Sequence, residues 1–133
     1  MKDGLERESA ENAAFEKQLE AVFSADDRRI KDAAAALDCA DPLSAQAKVL
    51  RAFAAAWCDG DVRSADDLLS HAAVDPDTEP FRLRQVTLLV INRLEGNIAQ
   101  AEKIADAIHE LGDQRWSALS LRAMTRTVAR ARP

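Results

Sequence analysis

Apolar residues recur along the chain at helical spacing in seven stretches, and a glycine, proline or capping residue separates each from the next. The first, about 5–23, sets Leu5, Phe15, Leu19, Val22 and Phe23 against Glu6, Glu8, Glu11, Glu16 and Glu20, which predicts an amphipathic helix acidic on its outer face. Ser24 predicts the cap of a second helix, with Asp27 three residues on as its capping-box partner. That helix ends near Ala40, and Asp41-Pro42 opens a third over 43–58 with Val49, Leu50, Phe53 and Trp57. Gly60 ends the third helix and a fourth follows over 62–74. Turn residues from Asp75 to Thr78, with Pro80 in a first turn, predict a fifth over 79–95. Gly96 and Gly112 then bound a sixth helix over 98–111 and a seventh over 114–131. No stretch alternates at period two, so the expected class is all-α without strands.

The same punctuation repeats. Shifting the chain by 36 residues lays GDVRSADDLLSHA, from Gly60, over GNIAQAEKIADAI, from Gly96. A small residue follows each glycine at +5 (Ala65, Ala101), with Leu69 and Ala105 at +9 and Ala72 and Ile108 at +12. Two helices joined at such a glycine can pack closely only where these positions are small or apolar.

This pattern resembles the tetratricopeptide repeat, with Pro42 and Pro76 in the place of its closing proline and Ala25 standing where a first glycine belongs. The resemblance implies a right-handed solenoid of about three helix hairpins (helices one and two, three and four, five and six) plus a capping seventh helix, all in one domain spanning 1–133. Phe53 and Leu89 depart from it, since the family places a small residue seven positions before the glycine. The resemblance also implies a partner groove lined by the first helix of each hairpin. Counted back from the glycines, Val49, Ala52, Phe53 and Ala56 point inward with Gln85, Leu88, Leu89 and Asn92, while Ala47, Leu50, Ala54, Trp57, Leu83, Val86, Val90 and Arg93 face the groove. Helices apolar on both flanks have two explanations: an open groove that accepts a partner helix or extended segment, or outer helices folded over both faces.

Within that family, Pro76-Asp77-Thr78-Glu79-Pro80-Phe81 and the later Arg93-Leu94-Glu95-Gly96 are similar to a segment of the tetratricopeptide chaperones of bacterial type III secretion. That resemblance implies a chaperone whose client is met by Leu50, Trp57, Val86 and Val90.

Composition narrows the function classes. Hydrophobic residues make up 47% but aromatics only 5%, with runs such as Ala33 to Ala36 that suit close helix packing. The net charge of -5 argues against a general nucleic-acid binder. Beyond Asp113, however, five arginines (Arg115, Arg122, Arg126, Arg130 and Arg132) stand without an acidic residue, leaving -10 on the rest of the chain. The first four share one helical face, a basic stripe that could meet nucleic acid, an anionic membrane, an acidic protein surface or a second copy of this acidic chain, or serve as a solvated outer face.

Candidate chemistry is sparse. His71 and His109 have no cysteine or histidine at i+3 or i+4, and Asp26-Asp27 and Asp66-Asp67 fit the first turns of helices. Cys39 and Cys58 lack a partner motif and read as buried small hydrophobes. No catalytic group, metal site or cofactor is expected. With no apolar leader and no run long enough to span a bilayer, the expected location is the cytoplasm and the expected role non-enzymatic protein binding, as an adaptor or chaperone.

Overall fold

A computed structural model describes the backbone of residues 2–125 and the side chains of residues 13–125. Among the described residues the chain is all helical: α1 (Lys2–Ser24), α2 (Asp27–Ala40), α3 (Ala45–Asp59), α4 (Val62–Ser70), α5 (Glu79–Leu94), α6 (Ile98–Glu110) and α7 (Gln114–Thr125), with no strand.

The ends of these helices follow from local chemistry. Ser44, Asp61 and Thr78 cap α3, α4 and α5, their side-chain oxygens accepting from the amides of Ala47, Ser64 and Phe81 at 3.0, 3.1 and 3.4 Å. Gly60 and Gly96 take left-handed backbone at φ 63 and 83, which lets the amides of Asp61 and Asn97 reach back to the carbonyls of Ala55 and Asn92. Several expected boundaries move. Asp26, not Ser24, caps α2 and accepts from the Arg29 amide at 3.0 Å. The cause is Ala25, whose φ of 55 ends α1 in the left-handed region and delays the next helix by two residues. The Asp66-Asp67 pair falls in the second turn of α4, because Asp61 already caps that helix. That helix also ends at Ser70 rather than near Val74. There the Ser70 hydroxyl donates to the Asp67 carbonyl at 2.7 Å and the His71 imidazole Nδ1 lies 2.8 Å from the same oxygen, drawing it out of the helical ladder. Residues 126–131 of the expected seventh helix lie outside the described residues.

Packing centres on α3 and α5. The helix α3 lies against α1, α2, α4 and α5, while α5 lies against α3, α4, α6 and α7. Consequently only Arg51 and Asp59 of α3 are exposed, and no residue of α5 is. Phe53 and Leu89, too large for a strict repeat, are fully buried, and Phe53 stacks on Trp57 with ring centroids 5.3 Å apart. Alanines at positions 47, 52, 56, 65 and 101 are also fully buried, so the backbones approach closely around these larger side chains. The first and last described helices, α1 and α7, also touch each other. Together α1, α3, α5 and α7 form a ring of contacts with α2, α4 and α6 outside it.

Left-handed backbone costs an alanine about 1–2 kcal/mol and a glycine almost nothing. A Cβ added at Gly96 would meet no atom within 4 Å, so any cost there is the backbone's alone. Gly96→Ala should therefore lower stability by about 1 kcal/mol, whereas Ala25→Gly should leave it unchanged or raise it. Urea unfolding of the two variants checks the opposite signs.

Candidate functional site

The groove-facing residues expected from the repeat are core residues. Leu50, Leu83 and Val86 are fully buried, and Ala54, Trp57 and Val90 expose 8% or less. Arg93 is half-buried, and its guanidinium Nη1 donates to the Ala123 carbonyl at 2.7 Å, tying α5 to α7. The structure thus buries the apolar members of the set beneath helices of the same chain and leaves Arg93 partly exposed. A charged substitution at Trp57 or Val86 would report on folding before it reported on a partner, since emptying such a site costs several kcal/mol by itself.

An accessible cleft lies where α1, the start of α5 and the start of α7 converge. A cleft of about 510 Å³ is lined by Glu16, Leu19, Glu20 and Phe23 of α1, Glu79 of α5 and Arg115 of α7. A second hollow of about 230 Å³ shares Glu16 and Glu79 and continues past Phe15 to Asp77, Thr78, Pro80 and Arg82.

Glu79 is the knot of this seam. Thr78 caps α5 and Pro80 occupies its first turn, so Glu79 sits at the positive end of the helix dipole. Its carboxylate accepts from the Trp116 indole Nε1 at 2.7 Å and from Arg82 Nη1 at 2.9 Å, and lies 3.9 Å from Arg115 Nη2. The fully buried Trp116 ring meets the edge of Phe23 with centroids 4.8 Å apart, and the Arg115 guanidinium lies 5.0 Å above the Phe23 ring. Asp113 holds the start of α7 by accepting from the Arg115 and Trp116 amides at 2.9 and 3.4 Å, and its carboxylate pairs with Arg115 Nη2 at 3.2 Å. Hydrogen bonding from Arg115 outweighs the opposing effect of burial and lowers the Asp113 pKa. Arg115 is raised in return, by Asp113 first and then by the fields of Glu79 and Glu16.

Reading the sequence for a groove passed over Glu79 and Trp116. The available signal was a buried-type tryptophan whose indole N–H needs an acceptor, and a carboxylate beside a proline at a helix start. Of the arginine stripe, Arg115 belongs to this seam, Arg122 is exposed on α7, and Arg126 and Arg130 lie outside the described residues. His71 and His109 are both exposed. Cys58 is half-buried, its thiol 3.6 Å from the Asp27 carbonyl oxygen. Cys39, expected inside, is exposed on the outer face of α2 beside Ala35, Ala36 and Ala40. Among the described residues no group of three or more His, Cys, Asp or Glu could hold a metal ion, and no helix is long and apolar enough to cross a membrane.

Removing Glu79 strips an acceptor from Trp116 and a counter-charge from Arg82. Glu79→Ala should therefore destabilise the chain by about 2 kcal/mol, with much of the loss absent when Trp116→Phe is already in place; a double-mutant cycle by chemical denaturation checks this. The lowered pKa of Asp113 works in a fixed direction. Its stabilisation is full above the ordinary carboxylate pKa of the unfolded chain and is lost as pH falls through the lower folded value. Asp113→Asn should flatten that part of the acid-unfolding profile.

No family model matches the chain, and neither a curated protein nor a solved structure matches it.

Proposed function

We propose that this chain is a non-enzymatic protein-binding module, an adaptor or chaperone built on tetratricopeptide-like hairpins, whose partner surface is the seam of α1, α5 and α7. The hairpin reading draws support from left-handed turns at Ala25, Gly60 and Gly96 and from packing of α1 on α2, α3 on α4 and α5 on α6. In an open solenoid the first helices line a groove. Here α1 and α7 meet, and the apolar faces that would line that groove are spent on the core.

The observation that carries the functional reading is the cleft between α1 and α7, where the ring of helices stays open enough to admit side chains. Its lining mixes carboxylates, an aromatic ring and a guanidinium, a surface suited to a partner side chain. The arginine-face alternative loses Arg115, whose charge is engaged by Asp113, Glu79 and Phe23.

Photo-crosslinking in the native cell tests this. A crosslinker at Glu20, on the cleft rim, should yield a discrete adduct with one protein, and the same reagent at Asp67, on the exposed surface of α4, should not. Equal adducts from both positions, or none from Glu20, would count against the seam.

A further inference from the structure

The seam carries a charge imbalance that its own residues do not settle. Glu16, Glu20, Asp77 and Glu79 line the two hollows, against Arg82 and Arg115. Both arginines are already held by Glu79, and Arg115 by Asp113 as well. Among the described residues, Glu16, Glu20 and Asp77 form no ion pair within 4.0 Å.

An acidic rim alone would simply be solvated. This one borders a cleft whose lining already pairs carboxylates with a cation, the partly exposed guanidinium of Arg115. Arg115 rests on the Phe23 ring with Glu79 at 3.9 Å and within the field of Glu16. Glu16 and Glu20 are four residues apart on α1, so they share a helix face with their Cβ atoms about 6 Å from each other. A cation between them could engage both carboxylates while its aliphatic stem lies along Leu19 and Phe23, which line the same cleft. An anionic partner, whether nucleic acid or a lipid surface, would meet these carboxylates at close range and be repelled.

We infer that the seam cleft takes a basic segment of a partner protein, with an arginine or lysine side chain lodged between Glu16 and Glu20. This rests on the seam being the partner surface, and the test separates the two ideas. The 15N-labelled full chain is titrated with a soluble peptide of alternating arginine and alanine, and with its glutamate-for-arginine counterpart. The arginine peptide should saturably shift the amides of Glu16 and Glu20 and the indole of Trp116, and the glutamate peptide should not. Glu16→Gln with Glu20→Gln should weaken the arginine peptide about tenfold, the sum of two exposed ion pairs. Asp66→Asn with Asp67→Asn, an equal change of charge on α4, should leave it unchanged.

Cleft shifts with the glutamate peptide, or equal weakening by the two double variants, would overturn the basic ligand and leave the seam standing. Shifts confined to other surfaces, or no shifts at all, would overturn both. Cleft shifts on concentrating the protein alone would make a second copy the occupant and overturn the assignment to a separate partner.

Discussion

Two central helices that are apolar on both flanks cannot rest against a single neighbour, and the arrangement of the other five follows from covering them. Burying large apolar side chains such as Leu50, Phe53, Trp57, Leu83, Val86 and Leu89 contributes about 2 kcal/mol each. Leaving one flank of α3 and α5 open would forgo a large part of that gain. Instead α1 lies against α3, α7 lies against α5, and the contact of α1 with α7 closes a ring of contacts.

A ring closed by two helices from opposite ends of the chain must have a seam, and its chemistry differs from the rest of the core. Elsewhere fully buried alanines let backbones come close; at the seam the contact is an aromatic edge, a stacked guanidinium and a carboxylate shared by an indole and two arginines. Polar groups of this kind fix orientation but do not fill volume, so a cleft remains beside them. The feature that closes the bundle is thus also the one that leaves a cleft open.

Much of the fold was legible in the chain. Glycine and proline punctuation located the turns before α4, α5, α6 and α7, whereas the left-handed backbone at Ala25 was not foreseen, because a cap at Ser24 would have put Ala25 inside α2. Periodicity also marked α3 and α5 as apolar on two flanks, but it could not say what lay against them. That depends on α1 meeting α7 across about 90 residues of sequence, a contact that local spacing cannot encode. The Glu79 knot was hidden for the same reason. Its partners Arg82, Arg115 and Trp116 come from two helices, and only the Arg82 pair has helical spacing. Helix starts failed more locally: left-handed Ala25 passed the cap of α2 from Ser24 to Asp26, and with Asp61 capping α4 the Asp66-Asp67 pair fell beyond its first turn.

Thiol accessibility tests most directly whether the flanks of α3 and α5 are core while the seam is open. With Cys39 and Cys58 changed to serine, a single cysteine at Val90, 4% exposed, is compared with one at exposed Glu20. The account predicts rapid modification at position 20, and at position 90 a rate that tracks global unfolding as urea is added. Rapid, urea-independent modification at position 90 would mean that the groove stands open in solution, and would contradict it.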